Sequence, residues 1–167
     1  MRILFMPVDG TPYQSALDSG LHKVDVEVVG RPLSWFLLGD AYEMDVIHIH
    51  WTSIFAGTRL WKFSIGYPLL AFQLCFLRML GRKIVWTVHN LQNHEERNAR
   101  RDRLISILVG KAANKVIVHG KSAVPLVSEK FLVSTGKIVC IPHGNYIGVY
   151  PDRTDRALGA KSIATME

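Results

Sequence analysis

The sequence has 167 residues, of which 49% are hydrophobic and 20% are charged. This size and composition are typical of one globular domain and exclude a disordered or fibrous chain. The formal net charge of +6 indicates anionic partners. The two cysteines, Cys75 and Cys140, form neither a CxxC metal pair nor a disulfide framework of the secreted kind, which is typical of a reducing cytoplasm.

Short strand-like runs alternate with helix-length segments along the chain, as in a parallel α/β sheet. The predicted strands are, in chain order, 2–6, 24–29, 45–50, 83–88, 115–119 and 137–141. The predicted helices are 13–20, 58–80, 95–113 and 122–131. Val and Ile occupy both alternating positions of most strands, as expected where helices cover both faces of a sheet. We therefore predict one doubly wound, mainly parallel Rossmann-like domain over residues 1–151, followed by a linker over 152–167.

Histidines concentrate at the carboxyl ends of the predicted strands. Six of the seven lie at or just after such an end, and His22 is the exception. Ligands of doubly wound sheets bind beyond the carboxyl ends of the strands, so we predict a site at this edge. The candidate residues there are Asp9, Gly10, Tyr13, His50, His89, Asn90, His94, Glu95, His119, Lys121, Ser122, His143, Asn145 and Tyr146.

Nucleotide-binding motifs are incomplete in this sequence. Gly120-Lys121-Ser122 follows a strand, but Lys115 stands where a phosphate loop needs its first glycine. The loop after the first strand has one glycine instead of a GxGxxG pattern, which disfavours a dinucleotide cofactor. We expect Ser122 to cap the following helix, whose N-terminus with Lys121 suits an anion.

The histidines also raise the question of a metal site. His48 and His50 share one face of a strand and, with His89, form a candidate ligand set. Because no Asp or Glu is evidently placed to complete or orient the set, we expect neither a metal nor a cofactor. His89 caps no helix and is assigned to function, whereas His94 and Glu95 serve either a ligand or the start of a helix.

The segment 57–83 is apolar on nearly all sides of a helix and contains several basic residues. Such a helix is covered either by protein, in the core or a dimer, or by the interfacial layer of an anionic membrane, and both interpretations stay open. Its charged residues and its proline interrupt the apolar run, and the uninterrupted part is too short to span a bilayer. The basic group formed by Arg97, Arg100, Arg101 and Arg103 is interpreted as a solvated face, and no pattern predicts nucleic-acid binding.

Three motifs carry a resemblance to a known family. They are Thr87-Val88-His89-Asn90 with His94-Glu95, the run 116–122, and the turn 141–146. Together they resemble the amino-terminal half of bacterial GT-B glycosyltransferases, especially family 4 and mannosyltransferase-like enzymes. The resemblance implies transfer of a hexose from a nucleotide sugar to a lipid-linked or polysaccharide acceptor, without a metal. It also implies a cytoplasmic protein, peripheral at the inner face of the membrane through residues 57–83.

The resemblance also implies roles for individual residues. His89 matches a histidine that contacts the donor sugar, and the loop with Asp9, Gly10 and Tyr13 faces the donor diphosphate and the acceptor. The run 119–122 lines the acceptor side, and 142–146 forms the junction towards a second domain. Inverting relatives need a base, for which Asp9 or Glu95 is suited, whereas retaining relatives need none, and we favour retention.

The sequence departs from the family in two respects. The first loop has a single glycine, and the nucleotide-sugar-binding domain, with its pair of glutamates separated by seven residues, is not included in these 167 residues. We therefore expect a chain that is inactive alone and meets the nucleotide sugar through a missing domain or subunit. The alternatives are a non-catalytic binding or membrane-recruiting subunit that works with a separate donor-binding chain, and a fragment similar to a sugar-nucleotide epimerase.

Overall fold

A computed structural model of the chain describes residues 1–8, 10–31, 38–52, 55, 60–91 and 99–144. Within these residues six strands form one parallel sheet. The strands are β1 (Arg2–Met6), β2 (Glu27–Gly30), β3 (Val46–Ile49), β4 (Lys83–Thr87), β5 (Lys115–Val118) and β6 (Ile138–Cys140). The helices are α1 (Pro12–His22), α2 (Leu38–Ala41), α3 (Leu60–Met79), α4 (Ala99–Ala112) and α5 (Ala123–Phe131), and a 3₁₀ turn (Thr135–Lys137) precedes β6. The predicted parallel α/β sheet is confirmed.

Alternating residues of the strands point to two different cores. Leu4 and Met6 of β1 belong to a large core that includes buried side chains of α3, α4 and α5. Ile3 and Phe5 point the other way and pack with Val26 and with apolar side chains of α1. The helices therefore cover both faces, as the continuous apolar character of the strands predicts.

The strand order β2-β1-β3-β4-β5-β6 places a topological switch point between β1 and β3. From β1 the chain goes to one side for β2 and to the other side for β3, which opens a crevice at the carboxyl ends of these two strands. Met6 pairs with Ile49 in the register, and the His50 N–H donates to the Met6 carbonyl over 2.9 Å. The end of β3 is thereby fixed beside the crevice.

The relative positions of β4 and β5 are fixed by one asparagine. The Ile84 N–H donates to Asn114 Oδ1 over 2.9 Å, and the Asn114 N–H donates to the Ile84 carbonyl over 2.7 Å. The side chain of Asn114 thus extends the hydrogen-bond ladder before β5 begins. This pairing sets the register that brings the two strand ends, with His89 and His119, to the same level.

Several predicted boundaries differ from the structure by a few residues, and two of them have a clear physical cause. The strand β2 begins at Glu27 and not at residue 24, because Asp25 has a left-handed φ of 57° and the chain turns there. The helix α1 begins at Pro12, one residue earlier than predicted. Thr11 precedes it as the N-cap, and its hydroxyl accepts from the Gln14 N–H over 3.4 Å.

The long helix α3 has an exposed apolar side as well as a buried one. Leu70, Leu74 and Leu77 are buried in the core. Ile65, Phe72, Phe76 and Met79 are exposed on the opposite side, and the rings of Phe72 and Phe76 are stacked at 6.0 Å. Among the described residues, no helix is long and apolar enough to cross a bilayer.

Candidate functional site

The phenol ring of Tyr13 is surrounded by four imidazoles at the carboxyl edge of the sheet. The centroid of the Tyr13 ring lies 5.9 Å from that of His50, 4.9 Å from His89, 5.3 Å from His119 and 5.1 Å from His143. Tyr13 is the second residue of α1, and the four imidazoles follow β3, β4, β5 and β6. The structure thus brings together five of the residues predicted for this edge.

Beneath this group, the side chain of His48 is hydrogen-bonded in the interior of the sheet. Its Nε2 lies 2.8 Å from the Thr87 hydroxyl oxygen, and its ring stacks on that of His50 with centroids 4.1 Å apart. Burial, aided by the charge of His89, lowers the pKa of His48 to about 3. His48 is therefore neutral, and its Nε2 is hydrogen-bonded to Thr87. The structure thus does not bring His48, His50 and His89 together as a set of metal ligands.

His50 is the most buried of the imidazoles at the edge, with 1% of its surface exposed. Among the described residues, neither of its ring nitrogens has a hydrogen-bond partner. Burial, followed by the nearby His48 and His89, lowers the pKa of His50 to about 2. A neutral imidazole offers one donor and one acceptor, and leaving both buried without partners is costly. A polar group of a ligand or a water molecule would satisfy these two nitrogens.

His89 lies between an indole and the other imidazoles. Its ring is nearly parallel to that of Trp51, with centroids 4.5 Å apart and an angle of 10° between the planes. It is 5.9 Å from the ring of His50 and 5.5 Å from that of His119. The parallel packing against Trp51 fixes the plane of the His89 ring.

His119 has a defined tautomer. Its Nδ1 lies 2.9 Å from the Ile141 carbonyl oxygen, which can only accept, so Nδ1 carries the hydrogen. In the neutral ring the other nitrogen, Nε2, therefore carries the lone pair. It is buried and has no hydrogen-bond partner among the described residues. The ring centroid of His143 is 4.4 Å away.

A cavity of about 430 Å³ opens next to this cluster. His50, Trp51, His89 and Asn90 line its side at the strand ends, together with the pair of hydroxyls formed by Thr52 and Ser106, whose oxygens are 3.0 Å apart. Trp86 and Phe131 form an apolar wall, and charged groups come from α4 and α5. This combination of aromatic faces and a few polar groups is typical of small-molecule sites.

The charged lining of the cavity was not expected from the sequence. Arg100, Asp102, Arg103 and Lys130 line it, although the arginines were interpreted as a solvated face. Arg100 and Arg103 are exposed, as a solvated face requires, and they also line the cavity. The sequence shows that α4 is rich in charged residues. Which of them face the cavity depends on how the helix packs against β4 and α5.

Other predicted residues have a different environment. Lys121 and Ser122 are exposed, and the expected cap is wrong: Ser122 makes no side-chain capping bond, because its own φ and ψ of −63° and −23° are already helical. Gly10 has a left-handed φ of 67° in the turn between β1 and α1, which favours glycine. The predicted site residues Asp9, His94, Glu95, Asn145 and Tyr146 lie outside the described residues.

The strand order and the helices on both faces define a Rossmann-like α/β domain, with the fold of the N-terminal half of a GT-B glycosyltransferase. No protein-family model matches the sequence, and no curated protein matches it. Solved structures of HepE from Anabaena are similar. They are complexes with UDP (14% identity, TM-score 0.52), with UDP-glucose (14%, 0.54) and with UDP and glucose (15%, 0.51).

Each of these alignments covers 98% of the present chain and 50% of the HepE chain. The chain therefore spans half the length of the solved structures that it matches. At this level of identity the similarity establishes the fold.

Proposed function

We propose that the chain forms the acceptor-binding half of a glycosyltransferase. In this proposal the second wall of the cleft, which holds the nucleotide sugar, belongs to a second Rossmann-like domain in the same polypeptide or in a partner chain. The transferred group is a hexose, and the acceptor is a saccharide hydroxyl on a lipid-linked or polysaccharide substrate, as in family 4 and mannosyltransferase-like enzymes. The similarity to half of the HepE chain, which is solved with UDP and UDP-glucose, supports this assignment.

The observation that carries the proposal is the convergence of four imidazoles on Tyr13 beside the switch point of the sheet. Neutral imidazoles act as both donors and acceptors and so match sugar hydroxyls, which have the same double character. His50 is buried with two unused nitrogens among the described residues. A polyhydroxylated ligand supplies several such groups at once.

The cavity beside the cluster has the chemistry that a sugar and a phosphate require. The ring of Trp51, stacked on His89, provides a flat aromatic surface on which the apolar face of a pyranose can pack. Arg100 and Arg103 supply positive charge against the single carboxylate of Asp102 among the described lining residues. Because a leaving diphosphate gains charge during transfer, fixed cations at the cleft stabilise that charge.

Within this proposal His89 contacts the donor sugar and the reacting centre, and the loop with Asp9, Gly10 and Tyr13 faces the diphosphate. Glu95 or Asp9 serves as a base in an inverting reaction, and a retaining enzyme, which we favour, needs neither. The residues 119–122 line the acceptor side, and 142–146 form the junction towards the second domain. The position of His89 between Trp51 and the other imidazoles supports its role.

We further propose that α3 brings the domain to an anionic membrane at the cytoplasmic face, where a lipid-linked acceptor lies. The exposed side chains of Phe72, Phe76 and Met79 lie on one apolar side of the helix. Arg78 is exposed near the end of the helix, where its Nη1 donates to the Ala112 carbonyl over 3.1 Å. Aromatic and basic residues together suit the headgroup layer of a bilayer.

The test uses the protein in its natural context, as the full polypeptide or with its partner chain. UDP-glucose with a radioactive label serves as the donor, and incorporation into lipid-extractable or polymeric material is measured. His89→Ala should lower turnover by about 10-fold or more, the effect of losing one contact to the transition state. His22→Gln removes an exposed imidazole of α1 far from the cleft and should leave turnover unchanged.

A binding experiment on the 167-residue chain provides a second measure. Saturation-transfer NMR should detect a glucoside at the cavity and little binding of UDP-glucose, since the donor wall belongs to another domain. Tight binding of UDP-glucose that is insensitive to His89→Ala would contradict the proposal. Binding of the saccharide without any transfer in the natural context would favour the non-catalytic subunit instead.

A further inference from the structure

The three imidazoles of His89, His119 and His143 lie at the corners of a small triangle. One ring nitrogen from each residue lies within 4.8 Å of the corresponding nitrogens of the other two. These residues come from the loops after β4, β5 and β6, so the triangle is formed by the fold and not by a local sequence motif. Among the described residues, these three histidines form the group whose ligand atoms have the spacing of a metal site.

We propose that this triangle is a binding site for a divalent transition metal, with zinc as the best match. An ion at the centre of such a triangle lies at most about 2.8 Å from each nitrogen, and inward shifts of less than about 1 Å give the usual Zn–N distance of about 2.0–2.1 Å. Rotation of three side chains that are half-buried or exposed supplies shifts of this size.

The tautomer of His119 prepares it as a ligand. Its Nδ1–H donates to the Ile141 carbonyl over 2.9 Å, which leaves the buried Nε2 to carry the lone pair of the neutral ring. Metal-binding histidines almost always donate their second ring N–H in this way, often to a backbone carbonyl, and the bond orients the ring and raises the basicity of the ligand. For His119 this supporting bond is present.

Three neutral imidazoles prefer metals of borderline softness such as Zn²⁺, and magnesium and calcium prefer oxygen ligands. Three protein ligands leave a fourth tetrahedral position open, as in catalytic zinc sites. A water molecule or an oxygen of a bound saccharide or phosphate would fill that position. The inference goes beyond the proposed function, because the resemblance to GT-B enzymes implies transfer without a metal.

The experiment measures Zn²⁺ binding by the tag-free chain after removal of metals, by equilibrium dialysis with elemental analysis and by calorimetry at pH 7.5. We expect one equivalent of Zn²⁺ and a rise in Tm on binding. His119→Asn keeps a donor for the Ile141 carbonyl but lacks Nε2, and His143→Ala removes an exposed ligand. Each should weaken Zn²⁺ binding at least 10-fold, whereas His22→Gln, which also removes one imidazole, should not.

Circular dichroism verifies that each variant is folded. Absence of stoichiometric Zn²⁺ binding by the folded parent chain would overturn the inference, as would binding that both cluster variants leave unchanged. Inorganic phosphate is titrated in parallel, because stabilisation by phosphate alone would show that the cluster is an anion site. None of these outcomes depends on sugar transfer, so the metal site and the proposed function can fail separately.

Discussion

The Nε2 of His48 and the hydroxyl oxygen of Thr87 lie 2.8 Å apart in the interior, across the neighbouring strands β3 and β4. His50, two residues further along, stacks on His48 and is buried as well. The sheet therefore holds two neutral imidazoles where a folded protein usually has apolar side chains. Both are the direct support of the site above them, since they lie under His89.

These two histidines make the stability of the protein sensitive to acid. The pKa of His48 is lowered to about 3 and that of His50 to about 2, mainly by burial. Below about pH 6.5 the unfolded chain binds protons that the folded chain does not, so stability falls as the pH decreases towards 3. We expect each histidine to contribute a loss of about 1.4 kcal/mol per pH unit in this range, measured by urea unfolding at pH 7, 6 and 5.

His50→Leu should remove one of these two contributions and make the pH dependence shallower by about 1.4 kcal/mol per pH unit. Leucine replaces a ring that has no hydrogen-bond partner among the described residues, so the fold should tolerate it. An identical slope in His50→Leu and the parent would show that His50 is not a buried neutral group.

Gly110 in α4 is a second point that can be tested, because it allows close packing beneath the cavity. A Cβ at this position would lie 2.6 Å from Cγ2 of Val133 and 3.3 Å from Cζ3 of Trp86. Gly110→Ala should therefore destabilise the protein by about 1–3 kcal/mol, as overpacking of a core does. The measurement is the free energy of unfolding in urea.

Gly20→Ala in α1 is the control for that substitution. A Cβ at Gly20 would meet nothing within 4 Å, so this variant should be stabilised by about 0.4–1 kcal/mol. Combining Gly110→Ala with Val133→Ala should recover part of the loss if the contact with Val133 is its cause. No recovery would mean that the close approach to the Trp86 ring dominates.

The proposed membrane contact of α3 predicts binding to lipid vesicles. The chain should co-sediment with vesicles that contain anionic lipid at low ionic strength and should be released by salt, which screens the basic residues. Replacing Phe72 and Phe76 together by serine should reduce the bound fraction several-fold, because both side chains are exposed on the apolar side of the helix. Leu126→Ser, which changes an exposed leucine of α5, should have little effect. Equal binding by neutral and anionic vesicles, or none, would argue for a protein partner at this surface.

The alternation of apolar and helical segments was sufficient to predict the sheet. All six strands were located within a few residues, since their Val and Ile content reflects burial on both faces and is a local property. The predictions of the end of α1 and of the start of β2 were less accurate. The left-handed residue Asp25, which ends that connection, has no distinctive signal in the sequence.

The sequence predicted the edge of the sheet at which the site lies, but not which side chains are in contact there. Six histidines near strand ends indicated where the site lies, because the carboxyl ends of parallel strands meet at one edge. Which imidazoles meet depends on the strand order and on the register set by Asn114, and neither can be read from single residues. The triangle of His89, His119 and His143 was missed for this reason, and His48, a candidate ligand by spacing, is instead bonded to Thr87.

The parallel stacking of Trp51 on His89 gives the protein an optical reporter of its own. Because the two rings are in contact, a ligand that moves or covers His89 should change the fluorescence of Trp51. Comparison with a Trp51→Phe variant separates this signal from that of the other three tryptophans, so occupancy of the site can be followed without an attached dye.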